Sequence, residues 1–186
     1  MACSITLKGI QKDCKHNIGG VRKVWIAAYK KGAATVDSDK ISAISNVADF
    51  KGYEFTKNTA SMTSTLNKDL ANGTSYVNTE VIVQFNRMET AKRIEVEALS
   101  IGDLQIIVLD NNGIYWFLGN DAPVEASAGT AQTGTAKSDG NFYNLTFTDE
   151  SFEYPYEILD TAVADLDKPK LEHVWIIDWL LINYSF

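Results

Sequence analysis

Leu104–Gly119 (LQIIVLDNNGIYWFLG) decides the fold. Leu104–Leu109 is a short apolar run rich in β-branched residues, Asp110-Asn111-Asn112-Gly113 is turn chemistry, and Ile114–Leu118 is a second apolar and aromatic run. Asn and Asp tolerate positive φ and Gly adopts it freely, so this order of residues predicts a tight β-hairpin. Both runs are almost continuously apolar. That is the pattern of central strands covered on both faces, not of strands with one wet face.

Upstream, Met88–Ile101 carries the helical period. Met88, Ala91, Ile94, Ala98 and Ile101 recur at spacings of three and four, with Glu89, Lys92, Arg93, Glu95 and Glu97 between them. Gly102 follows where a C-cap glycine belongs, and the spacing predicts one helix seated on a sheet by that stripe. Before it, Tyr76–Asn86 (YVNTEVIVQFN) alternates: Val77, Thr79, Val81, Val83 and Phe85 share one face. Tyr76, Asn78, Glu80, Gln84 and Asn86 share the other, joined there by one apolar residue, Ile82. That is a half-exposed antiparallel strand. Through the turn Leu70-Ala71-Asn72-Gly73-Thr74 it pairs with a stretch running from Tyr53 to Leu66, rich in Thr and Ser, with Met62 and Leu66 on one alternate set. A hairpin as long as 53–86 reaches beyond a compact body and is a candidate contact surface. Val21–Tyr29 (VRKVWIAAY) reads as a strand after the turn at Asn17-Ile18-Gly19-Gly20. Residues 33–52 read as a solvated loop, because Asp37 and Asp39 stand among serines and isolated apolar residues and no further cation ligands cluster beside them.

Downstream, Asn120–Lys137 (NDAPVEASAGTAQTGTAK) has no apolar periodicity and reads as a long flexible loop, a second candidate contact surface. Ser138-Asp139-Gly140-Asn141 turns the chain into a strand at Phe142–Phe147, and an acidic, aromatic-rich stretch follows around Pro155. Asp165–Lys170 has linker chemistry. Val174–Phe186 (VWIIDWLLINYSF) is too short to span a bilayer and is interrupted by Asp178, yet it is apolar enough to require cover from its own core or a neighbouring subunit.

The 186 residues suit one structural domain, 1–165, followed by a linker and apolar segment, 166–186. The fold class expected is mainly β with a single helix, 88–101. A net charge of −7 disfavours a non-specific grip on nucleic acid or anionic lipid. The start at Met1-Ala2-Cys3 lacks the apolar core of a signal peptide, so synthesis in the cytosol is expected and the sequons at Asn72, Asn144 and Asn183 read as coincidence. In such a chain Cys3 and Cys14 are expected as free thiols. His16 lies close to Cys14, but a zinc site needs three or four ligands and the other histidine is His173.

No catalytic constellation is legible: there is no Walker motif, no nucleophile elbow and no set of triad partners. Asp110-Asn111-Asn112-Gly113 has the front of a calcium loop, but position 121, where the loop should close, is Asp and not Glu, and a strand fills the interval. Asp149, Glu150, Glu153 and Glu157 include enough carboxylates for a general acid and base, yet nothing around them marks a pocket, and a solvated face is the simpler reading. No cofactor, metal or catalytic residue is expected.

Several turn and strand signals together resemble virion structural proteins of tailed bacteriophages, particularly those of Bacteroides-type phages and prophages. They are Asp13-Cys14 and Gly19-Gly20 before Val24-Trp25-Ile26-Ala27, then Phe50 with Tyr53-Glu54-Phe55, then Asn72-Gly73-Thr74. Ile107-Val108-Leu109-Asp110 with Asn112-Gly113 comes next, followed by Leu118-Gly119, Thr133-Gly134, Asp139-Gly140-Asn141 and Leu145-Thr146-Phe147. The order of strand, long hairpin, single helix and strands is also similar to the tail tube proteins. That resemblance implies a β-sandwich or barrel with one flanking helix, assembled into stacked homo-oligomeric rings, a hexamer being one size it allows. It further implies neighbouring tail or neck proteins, DNA that passes through the lumen without specific binding, no membrane, and a location in the virion. The apolar segment after residue 170 lies outside the pattern.

Two other readings stand beside it: another head or neck virion protein, and a β-sandwich module binding carbohydrate or a host surface. In the module, Trp25, Tyr115 and Trp116 would supply the stacking surfaces, core aromatics being the plainer account of all three.

Overall fold

The hairpin at the middle of the sequence is also the middle of the fold. In the computed structural model, which describes residues 9–10 and 17–166, the strands are β1 (Val21–Ala28), β2 (Ala34–Asp37), β3 (Lys40–Ile44), β4 (Lys51–Tyr53), β5 (Ala60–Asp69) and β6 (Thr74–Asn86). The helix α1 (Thr90–Ile101) follows, then β7 (Leu104–Asp110), β8 (Tyr115–Leu118), β9 (Glu125–Gln132), β10 (Phe142–Ser151) and β11 (Tyr156–Ile158). They form a seven-stranded sheet in the order β2-β3-β11-β8-β7-β1-β4 and a four-stranded sheet in the order β5-β6-β10-β9. The chain is mainly β with one helix among the described residues. Cys3, Cys14, His16, His173 and the segment 174–186 lie outside them.

β7 sits between β8 and β1, and every residue from Leu104 to Leu109 is buried. Leu104, Ile106 and Val108 enter the core shared by the two sheets, while Ile107 and Leu109 enter a second core on the far face with Trp25, Phe50, Phe117, Val163 and Leu166. An apolar run without alternation is what a strand with a core on each side requires. Gln105 is the polar exception. Its side chain donates to the Gly119 carbonyl at 2.9 Å and the Lys30 carbonyl at 3.1 Å, and accepts from Asn46 Nδ2 at 3.3 Å, so its burial leaves neither end unpaired.

The turn between β7 and β8 is built by its polar residues. Asp110 Oδ1 accepts from the backbone N–H groups of Asn112 (2.8 Å) and Ile114 (2.9 Å), and Gly113 takes φ +86°. The two asparagines have a further role: Asn111 Nδ2 donates to the Gly19 carbonyl at 2.8 Å, and Asn112 Nδ2 donates to Ile18 O at 3.0 Å while its Oδ1 accepts from Ile18 N at 2.9 Å. The same turn therefore fixes the approach to β1.

Four local expectations are corrected. Residues 34–44 are not a loop but the β2–β3 hairpin, turned by Ser38 (φ +52°) and Asp39 (φ +65°); with Ile41 and Ile44 as its only buried side chains, it had little apolar pattern to show. The stretch from Tyr53 to Leu66 is not one strand. β4 pairs with β1 and β5 with β6, and the chain crosses between the sheets at 54–59, where Asn58 takes φ +66°. The loop expected at 120–137 contains β9, which pairs with β10 along its length. Its residues lack a pattern because almost all of them are exposed.

The fourth correction is the helix face. Leu99 is buried and Val96 and Met88 pack on the shared core, whereas Ile94 and Ile101 are 56% and 89% exposed. Helical spacing fits both stripes. Two of the residues in the expected stripe are alanines with little surface to bury, and the sheet takes the stripe with Val96 and Leu99. The alternation in β6, by contrast, is as read: Val77, Thr79, Val81, Val83 and Phe85 are all buried.

Candidate assembly surface

The four-stranded sheet has one dry face and one wet one. Cross-strand register identifies the wet face: Ser61, Thr63, Thr65, Asn67 and Asp69 of β5 lie beside the even-numbered residues 74–86 of β6. The even-numbered residues of β10 continue it, and Glu125, Ala128, Thr130 and Gln132 of β9 close it. The charged residues of this face are Asp69, Glu80, Glu125 and Glu150, and none of its positions is Lys or Arg. Glu80 and Glu125 stand in one row, Thr63–Glu80–Thr148–Glu125, on either side of Thr148. Ser, Thr and Asn fill most of the remainder, so the surface is hydrated, acidic and without fixed positive charge.

Its two edges are open among the described residues, with β5 at one end of the sheet and β9 at the other. Apart from Ala126, which packs on the shared core, β9 is exposed, and from Ala126 to Ala131 it is made of small residues, so little side-chain bulk shields its backbone groups. A row of unpaired N–H and C=O groups is a template for another strand. The sheet also overhangs: Leu66, Leu70 and Tyr76 near the β5–β6 turn are exposed despite their apolar surface.

The three aromatic candidates do not form one platform. Trp25 is only 2% exposed and packs 5.9 Å from the Tyr115 ring in the second core. Trp116, next along β8, packs on the shared core and donates its indole N–H to Asp110 Oδ2 at 3.3 Å. Of the candidate acid–base residues, Asp149 departs from the solvated face expected of it. It is 3% exposed on the inner face of β10; Oδ2 accepts from the Gly119 N–H at 3.3 Å and Oδ1 has no hydrogen-bond partner among the described residues. Burial, with a smaller contribution from the nearby Asp121 charge, pushes its carboxyl up to about 6 against the opposing pull of the Gly119 hydrogen bond. Glu153 is occupied locally by the Tyr156 hydroxyl, and Glu157 pairs with Lys40 at 2.6 Å. These carboxylates are dispersed over two sheets. No group of three or more His, Cys, Asp or Glu among the described residues is placed to hold a metal.

What sequence reasoning missed is β9, and with it the second edge of the sheet and one of the four strands of the wet face. Its only signal was negative, a run of Ala, Ser, Gly and Thr without turn residues at Glu125–Ala128. No helix among the described residues is long and apolar enough to cross a membrane. No family model, curated protein or solved structure matches this chain.

Proposed function

We propose that this chain is a structural subunit of a tailed-bacteriophage virion, a tail tube protein whose copies assemble into stacked rings around the DNA. One observation supports this above the others: the four-stranded sheet joins a cation-free, acidic outer face to two edges that no further strand among the described residues pairs. Pairing the β5 edge of one copy with the β9 edge of the next is a heterologous contact, which generates a ring when the rotation closes. The wet faces then form a continuous wall. A wall bearing four carboxylates per subunit and no Lys or Arg does not hold phosphate, so a duplex slides past it without sticking. On this reading the protein is made in the host cytoplasm and resides in the virion, and it works by assembly and not by catalysis. Its partners are further copies of itself and other tail or neck proteins.

The test is negative-stain microscopy and sedimentation velocity of the concentrated protein, with filter binding to duplex DNA at low salt. Rings or tubes that fail to retain DNA are the expected result. Monomers at high concentration, or tight retention of DNA, would refute the proposal.

A further inference from the structure

Resting on that reading, we infer that a second, head-to-tail contact joins copies along the strand direction: the acidic aromatic turn between β10 and β11 of one copy seats in a basic aromatic groove on the seven-stranded sheet of the next. The groove has a volume of about 510 Å³ and is lined by Arg22, Lys23, Glu54, Phe55 and Tyr115, with the buried Trp25 and Leu109 beneath. A register shift in β1 between Val21 and Lys23 makes it basic. Adjacent residues of a regular strand point to opposite faces, but a bulge re-aims one of them, so Arg22 and Lys23 both line the groove. Lys23 Nζ lies 4.8 Å from the centre of the Trp25 ring. Gly52 leaves room for that arrangement, since a Cβ there would stand 3.2 Å from Lys23 Cε and 3.3 Å from Trp25 Nε1. The one acid of the groove is Glu54.

The turn has the complementary character. Phe152 and Tyr154 are 81% and 55% exposed, so neither is seated among the described residues, and Glu150 and Glu153 flank Phe152. The turn is nonetheless ordered: Ser151 Oγ donates to the Glu153 carbonyl at 2.6 Å, and the Tyr156 hydroxyl donates to the Glu153 carboxylate. Preformed aromatic anchors bordered by charge are the residues that dominate protein contacts.

Groove and turn lie toward opposite ends of the seven-stranded sheet. Lys23, Leu109, Tyr115 and Ile158 form one cross-strand row, whereas Tyr156 pairs with Phe117 further along and the turn precedes it. A contact between surfaces at opposite ends propagates along the strands of the seven-stranded sheet, while the β5–β9 contact propagates across the strands of the four-stranded sheet. On this assignment the β5–β9 contact closes the ring and the turn–groove contact stacks rings.

The experiment measures tube length and sedimentation for the full chain carrying Arg22→Glu, for Phe152→Ser with Tyr154→Ser, and for a charge swap combining Arg22→Glu with Glu150→Lys. Arg22 is exposed, so its replacement leaves folding intact. Expected are single rings in the first two variants, with the concentration needed for stacking raised about tenfold or more, and recovery of stacking in the swap. Unchanged stacking in Arg22→Glu and in the aromatic variant, or loss without recovery in the swap, overturns this contact while ring formation still supports the tube reading. Wild-type protein that stays monomeric overturns both.

Discussion

Replacing Asp149 by Asn should stabilise the protein at neutral pH and lose that advantage in acid. The carboxyl is held up to about 6, against 3.8 for the unperturbed group, chiefly because burial penalises the charged form. Because the folded state keeps a proton that the unfolded chain releases, the stability contributed by this group is full below 3.8, declines as pH rises through about 6, and stays low above it. That gap corresponds to about 3 kcal/mol at most, at 1.36 kcal/mol per pKa unit. Asn retains an oxygen to accept the Gly119 N–H but places an amide where Oδ1 now lacks a partner. An unmatched buried donor costs about 1 kcal/mol, so a net gain of about 1–2 kcal/mol is expected at pH 7.5. At pH 4.5 the native aspartic acid is mostly protonated and the difference should approach zero. Urea denaturation of both proteins at the two pH values, at concentrations too low for assembly, gives the comparison directly, and taking the difference between them cancels the other carboxylates. A variant less stable than wild type by the same amount at both pH values would refute the reasoning, because the charge would then cost nothing.

Three further outcomes can be checked with the same protein. Gly113→Val should lower stability by roughly 1–2 kcal/mol in urea, since φ is +86° and a Cβ there meets no atom within 4 Å, leaving conformational strain as the whole effect; a neutral result would mean the turn has another form. Ile94→Ser should change stability by less than about 0.5 kcal/mol, being 56% exposed on the outward stripe of α1; a loss of several times that would show the stripe is covered. Glu80→Lys combined with Glu150→Lys should convert the wet face of the four-stranded sheet into one that retains duplex DNA on filters at low salt, with retention falling steeply as salt rises; no gain in retention would mean that face does not meet the DNA.

Where the sequence could be read, one residue pattern answered to one environment. The continuous apolar run at Leu104–Leu109 has a core on each side, and the alternation of Val77, Val81, Val83 and Phe85 has a core on one. Where it misled, two environments shared a pattern. Both stripes of α1 satisfy helical spacing, and choosing between them requires weighing Val96 and Leu99 against Ala91 and Ala98, which counting apolar positions does not do. The β2–β3 hairpin buries too few side chains to impose alternation, so its turn residues, Ser38 and Asp39, were the better signal. For Asp149, alternation with Leu145 and Phe147 placed it on the inner face, but its acidic neighbours disguised that.

The open strand β9 has a different lesson for the assembly surface. Burial patterns in a sequence record what the chain covers with itself. A strand whose second neighbour is another copy buries little in the single chain, so selection on its side chains acts through the partner: small residues let two backbones approach, and polar ones keep the free subunit soluble before assembly. Ala126-Ser127-Ala128-Gly129-Thr130-Ala131 has that composition, and it is also the composition of a flexible loop. The two differ in what surrounds them. A loop need not pair with anything, whereas β9 is paired on β10 from Phe142 opposite Gln132 to Thr148 opposite Glu125, with one register shift at Ser127, which donates to the Thr146 carbonyl at 3.3 Å. On the proposed reading, a strand paired on one side with β10 and with no second strand neighbour among the described residues meets the β5 edge of a second copy.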